Sequence, residues 1–162
     1  MQGSAKVIAS LNALLTGELT AADQYFIHSR MLQNWGFQVL YQRIEHEHHD
    51  ELDHADALIK RILFLEGVPD VASRAALNVG ADVPAMLKND LALEISVVAE
   101  LKAAIALCEI ERDYDTRRIL VKMLEDTEED HAHWLEIQIG LIERLGLKNY
   151  LQSAAGGLSS AS

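Results

Sequence analysis

Apolar residues recur every three or four positions along almost the whole chain, and few stretches alternate apolar with polar residues as a strand would. This periodicity predicts a first helix from about Lys6 to Asn34, with Leu11, Leu14, Leu15, Ala22 and Tyr25 on one stripe. A turn at Trp35-Gly36 leads into a second helix, about Gln38 to Glu66, which Gly67 and Pro69 should stop. Residues 67–81 (GVPDVASRAALNVGA) have no clean period and read as a long crossover. Asp82 then serves as an N-cap with Pro84 in the first turn of a third helix, which extends to about Glu111. After Asp113-Tyr-Asp115 a fourth helix runs to about Leu145, where Gly146 ends it, and a short fifth covers Leu147 to Ala154. Four helices of matched length, each ~40 Å long at about 1.5 Å per residue, favour an antiparallel four-helix bundle. The short links on either side of the long one make it two hairpins joined by a crossover. Residues 1–155 form the expected domain, and the small, polar tail 156–162 is expected to fray.

The bulk numbers narrow what such a bundle does. A chain of 162 residues is one domain with room for a core, and 49% apolar with 24% charged residues is a soluble, globular balance. A formal charge of −11 excludes nucleic acid as a partner and suits a protein that gathers cations. No apolar run reaches the ~20 residues of a membrane span and nothing resembles a signal peptide, so a cytoplasmic location is expected. The single cysteine, Cys108, excludes an intrachain disulfide and any CxxC site.

Charges on the apolar stripes carry the chemistry. Glu18 lies one turn after Leu14 and Leu15 and one turn before Ala22; Glu94 lies among Leu91, Val97, Val98 and Leu101 at helical spacing. Burying an ionised carboxylate costs several kcal/mol unless it is paired or bound to metal, so both glutamates need partners. Residues 45–54, EHEHHDELDH, supply one set: Glu51, 33 positions after Glu18, with His54 three further on. The second set is Glu128, 34 positions after Glu94, again with a histidine, His131, at i+3. Residues i and i+3 differ by ~60° around a helix, so each pair points into one region. Four helices would thus bring two Glu-x-x-His pairs and two lone glutamates together. Four glutamates cancel the charge of two ferrous ions, and one imidazole per ion favours a transition metal over calcium or magnesium. No lysine or arginine is spaced to neutralise these glutamates instead. Glu45/His48 is a chance match, ~120° around the helix from Glu51. Glu47, one turn before Glu51, falls between two faces.

This constellation is the one ferritin-like di-iron carboxylate bundles carry, and from Lys6 to Gln152 the chain resembles a bacterioferritin. The stretches LLTGELTAADQYFIHSRM, HADALIKRILFLEGVP, DLALE and GLKNYLQ carry the resemblance. It implies a ferritin-like antiparallel four-helix bundle with a short C-terminal fifth helix that lines pores. It further implies a shell of twenty-four subunits that oxidises Fe(II) with dioxygen or peroxide and stores a ferric mineral inside. The ferroxidase ligands would be Glu18, Glu51, His54, Glu94, Glu128 and His131, with Glu51 and Glu128 bridging the di-iron centre. His46 and Asp50 would match an inner-surface iron site, Tyr25 and Trp134 aromatic residues near the centre that are oxidised in turnover, and Asn34, Glu66 and His133 a channel for iron entry.

One position departs from the family. Bacterioferritins bind haem b between two subunits through a methionine just after the first bridging glutamate, and here that position is Leu52. An alkyl side chain cannot ligate iron, so a homo-oligomer of this chain is expected to lack haem, unless a second, methionine-bearing subunit co-assembles with it. Met31, Met86 and Met123 do not match the ligand position. The electron-donating ferredoxin that releases iron in the family acts through that haem, so Leu52 bears on this partner too. The competing readings are a di-iron peroxidase of rubrerythrin type, whose four-cysteine iron module one cysteine cannot build, and one subunit type of a mixed haem-containing shell.

Overall fold

The structure, a computed structural model, describes residues 1–158. It is all-helical over those residues: α1 (Ala5–Asn34), α2 (Gln38–Phe64), α3 (Val83–Glu111), α4 (Tyr114–Glu125), α5 (His133–Leu145) and α6 (Leu147–Ala155). A π-helical segment, Asp126–Ala132, joins α4 to α5, so the predicted fourth helix is one rod with an irregular middle. The tail expected to fray lies mostly in residues 159–162, outside the described residues.

Local chemistry places the helix ends. Gly36 takes φ +85° between α1 and α2, a backbone state closed to most side chains. At the end of α2 the residue with positive φ is Glu66 (φ 62°) rather than the expected Gly67. Gly67 is needed there for space: a Cβ on it would come 2.7 Å from the Cγ2 of Ile8. Asp82 caps α3 by accepting from the amide of Ala85 at 2.9 Å, with Pro84 in the first turn as expected. Asp113 caps α4 through the amide of Thr116 at 3.1 Å. The guanidinium of Arg61, on α2, joins that cap by donating to Asp113 (2.9 Å), Asp115 (3.2 Å) and the Thr116 hydroxyl (2.7 Å).

The crossover has no regular structure, so its amides need partners elsewhere. A polar stripe on α1 supplies them. Asn12 accepts from Asp70 N–H at 2.8 Å, Thr20 from Ala75 at 3.0 Å, Gln24 from Asn78 at 3.0 Å and His28 from Gly80 at 3.0 Å. Asp90 on α3 fixes the end of that stripe: it accepts from Gln24 at 2.8 Å and lies 2.9 Å from Nδ1 of the fully buried His28.

Two apolar clusters fill the bundle. One joins Leu11, Leu15, Leu58, Ile62, Leu101 and Leu120; the other joins Tyr25, Leu32, Ile44, Leu87, Leu135 and Tyr150. Between them, at mid-length of the helices, lies a layer of buried carboxylates and imidazoles. α6 packs on α2 and α5, with the Tyr150 hydroxyl donating to Gln138 at 3.0 Å.

Asp90→Ala leaves the Gln24 amide nitrogen and His28 Nδ1 buried without a partner, and should lower the unfolding free energy by about 3 kcal/mol. Urea titration checks this, and a loss within ~0.5 kcal/mol would remove Asp90 from the account of how the crossover is held.

Candidate metal centre

The polar layer takes one to three residues from each long helix. α1 contributes Glu18, α2 Glu47, Glu51 and His54, α3 Glu94, and the π-helical segment His131; all are buried. Their ligand atoms form two triads, Glu18–Glu51–His54 and Glu51–Glu94–His131, with the atoms of each within 4.8 Å of one another. Glu51 belongs to both. His54 Nδ1 lies 3.4 Å from Glu51 and 3.7 Å from Glu18, and His131 Nδ1 lies 2.9 Å from Glu51 and 3.5 Å from Glu94. The two imidazole rings stack with centroids 5.8 Å apart. Tyr25, fully buried, donates its hydroxyl proton to Glu94.

Burial works against every charge in this layer. It holds the Glu18 carboxyl well above the usual range, and the neighbouring Glu51 charge adds to the effect. Glu51 is also desolvated, yet the proton on Glu18 and the two histidines hold it below its ordinary value. Burial likewise raises Glu94, against His131 and the Tyr25 hydroxyl. It lowers His54, but Glu18 and Glu51 outweigh it and push the imidazole up to about 10. His131 is raised in the same way by Glu47, Glu51 and Glu94. Glu18, Glu94 and both imidazoles are thus drawn toward their protonated forms.

The donor set fits a pair of metal ions. Both oxygens of Glu18, Oε1 of Glu51, and Nδ1 of His54 and of His131 are buried and make no aligned hydrogen bond among the described residues. Lone pairs that converge without pairing suit a shared cation. Carboxylate oxygen with one imidazole per triad is a donor set for a first-row divalent ion. A cavity of about 230 Å³ lined by Asp50, Asp53, His54, Asp126, Asp130 and His131 opens onto the two imidazoles, so the approach is acidic.

Of the six residues expected to ligate, the structure brings five together. Glu128 stands apart: its side chain is 42% exposed and its carboxylate lies 2.5 Å from Lys102 Nζ. The reason is local. An α-helical i,i+3 step would place Glu128 beside His131, but residues 126–132 are π-helical and the wider turn separates them. Lys102 also corrects the expectation that no lysine or arginine neutralises these glutamates.

The remaining expectations divide similarly. His46 is exposed and 3.2 Å from Asp50, which also reaches to 3.5 Å from His131 Nε2. Trp134 lies under the Arg43 guanidinium, 4.9 Å away. Asn34, Glu66 and His133 are exposed, and Glu66 holds the N-terminal amine at 2.7 Å. Leu52 is exposed on α2, while Met86 and Met123 are buried in the core. Glu45 pairs with Arg30 at 2.8 Å, and His48 Nδ1 contacts the Ala22 carbonyl at 2.8 Å, so this Glu-x-x-His pair has other partners. Sequence reasoning left Glu47 unassigned; it is buried against His131, and its place one turn before Glu51 was the signal.

A bundle with a divided core and two carboxylate–histidine triads is the architecture of a ferritin-like protein. The family model described as Ferritin-like domain matches residues 8–145. The chain is similar to the bacterial ferritin of Paramagnetospirillum magnetotacticum, 59% identical over 160 residues that cover 98% of each chain. It is 58% identical to the bacterial ferritin of Synechocystis sp. (94% and 98% covered) and 41% identical to the bacterioferritin of Mycobacterium leprae (93% and 94% covered). The chain therefore belongs to the ferritin family, on its bacterioferritin-type branch. Among the described residues no helix is long and apolar enough to cross a membrane.

Because the folded state holds a proton on Glu18 more tightly than the unfolded chain does, the stability that proton supplies is present below the ordinary carboxylate range and lost as pH rises through the raised value. Glu18→Gln should therefore melt several degrees above the metal-free wild type at pH 7, about 1–2 kcal/mol at roughly 2–4 °C each. The gap should close as pH falls toward 4.5, the ordinary value. Scanning calorimetry on metal-free protein reads both; a variant less stable than wild type at pH 7 contradicts the account.

Proposed function

We propose that this chain is a ferroxidase subunit of an iron-storage shell. Fe(II) is the substrate: one ion is held by Glu18, Glu51 and His54, the other by Glu51, Glu94 and His131. The observation that carries the reading is the pair of buried triads sharing Glu51, in which both Glu18 oxygens, one Glu51 oxygen and Nδ1 of each histidine lack hydrogen-bond partners among the described residues. Glu128 is counted with them on its sequence spacing: released from Lys102, it supplies the fourth carboxylate that balances two Fe(II). Each Fe(II) gives up one electron, so a pair reduces dioxygen to hydrogen peroxide, or hydrogen peroxide to water, with two protons consumed either way. The residues contribute position, negative charge that favours Fe(III) over Fe(II), and exclusion of bulk water.

The acidic mouth, with Asp50, Asp53, Asp126 and Asp130, concentrates cations before they reach the imidazoles. Tyr25, hydrogen-bonded to Glu94, is the candidate for an aromatic side chain oxidised in turnover. His46 and Asp50 are the candidate contact with iron on the cavity side. Assembly into a closed shell of twenty-four follows the family resemblance, and exposed Phe26, Leu52, Leu63 and Phe64 provide apolar surface for contacts between copies. The same surface could take a second, methionine-bearing subunit.

Anaerobic titration should show two Fe(II) bound per chain, and admission of oxygen a fast rise in near-ultraviolet absorbance. Glu18→Ala, His131→Ala and Glu128→Ala should each abolish the fast phase. Survival of the wild-type rate in the first two displaces the centre; survival in the third alone removes Glu128 from the ligand set.

Leu52 cannot ligate iron, which favours a shell without haem. Homomeric protein, purified from cells supplied with haem, should show no Soret band. A strong band from this chain alone overturns the argument from Leu52.

A further inference from the structure

Glu47 has no role in the two triads, yet it is as deeply buried as Asp90, at 1% exposure. A carboxylate in that position is costly unless neighbouring charge supports it. Two groups do. Its Oε2 lies 2.9 Å from Nε2 of His131 and its Oε1 2.5 Å from Nε of Arg43, as charge contacts in which neither oxygen makes an aligned hydrogen bond among the described residues. Arg43 is itself tied down: its Nη2 donates to the side chain of Asp130 at 3.0 Å and to the Asp130 carbonyl at 3.2 Å, and its guanidinium stacks on Trp134.

We propose that Glu47 is a positioning residue for His131, holding the imidazole with Nδ1 toward the metal position and Nε2 away from it. The inference rests on the two-ion reading above. A neutral imidazole has one N–H and one lone pair, so whichever nitrogen keeps the proton decides which can bind a cation. Nδ1 faces Glu51 and Glu94, and Nε2 faces Glu47, with Asp50 further off at 3.5 Å. A proton kept on Nε2 is the one that faces Glu47, 2.9 Å away, and this tautomer leaves the lone pair at Nδ1 for the ion. Arg43, anchored by Asp130 and Trp134, holds Glu47 on this side of the ring. A ligating histidine whose second nitrogen donates to a carboxylate is better oriented and more basic.

The second imidazole lacks this support. Among the described residues, the carboxylate that Nε2 of His54 faces is Asp126, at 3.7 Å, and that side chain is 44% exposed. The two metal positions are therefore unequal. The position of His131 is held by a buried, arginine-anchored carboxylate, and that of His54 by a solvated one beyond hydrogen-bond range. Removal of Glu47 should weaken one position and leave the other.

The test is a Co(II) titration of the full-length protein, followed by visible ligand-field absorption and by calorimetry. Wild type should take two Co(II) per chain. In Glu47→Ala one of the two should weaken about 10–100-fold while the other keeps its affinity, and Glu47→Gln, which keeps an acceptor oxygen, should recover part of the loss. A selective loss of this kind is not produced by a general weakening of the fold. The proposal is overturned if both affinities survive Glu47→Ala, if both fall together, or if wild type binds a third Co(II) that Glu47→Ala alone removes, which would make Glu47 a ligand in its own right. Fewer than two Co(II) on the wild type overturns the two-ion reading itself.

Discussion

A carboxylate with no exposed surface and no aligned hydrogen bond, Glu18, stands at the middle of α1 with an apolar cluster on either side. Water cannot solvate it, and the surrounding leucines offer nothing in return. Four helices meet this constraint by turning their polar positions toward the same level. The resulting layer divides the core, and the length of each helix, the crossover and the caps serve to bring that level into register. A bundle of this size would be more stable with leucine at these positions, so the layer marks where stability is given up for cation binding.

The charges around the layer are unequal. Glu51 faces both histidines, whereas Glu18 and Glu94 each face one. Arginine and lysine keep to its edge: Arg43 touches Glu47, Lys102 touches Glu128, and Arg61 serves the cap of α4. With positive side chains held at the edge, the negative charge of Glu18, Glu51 and Glu94 is offset by protons or by metal. Competition between the two would make metal binding proton-coupled.

Most of the fold was legible in the sequence because helix periodicity is a local property. The ends of α1, the proline and aspartate that start α3, and Gly146 at the end of α5 all depend on neighbouring residues. The identity of the buried glutamates was legible for the same reason: a charge at an apolar period is conspicuous. What local reading missed depends on tertiary contacts. The left-handed residue after α2 is Glu66 because Gly67 is needed against Ile8, and Ile8 is 59 positions earlier in the chain. The π-helical turn over 126–132 has no periodic signature, so the i,i+3 rule placed Glu128 beside His131 where the wider turn separates them. Glu47 sat between two faces by helical angle, and only the approach of His131 and Arg43 from the chain's other elements gives it a place.

The central claim is that two cations share Glu51 at the middle of the bundle. Anomalous diffraction at the iron edge, from crystals of the assembled protein loaded anaerobically with Fe(II), reads it most directly. Two peaks per chain are predicted, one among Glu18, Glu51 and His54 and one among Glu51, Glu94 and His131. A single peak there, or iron confined to the aspartates of the mouth with the buried layer empty, would contradict it.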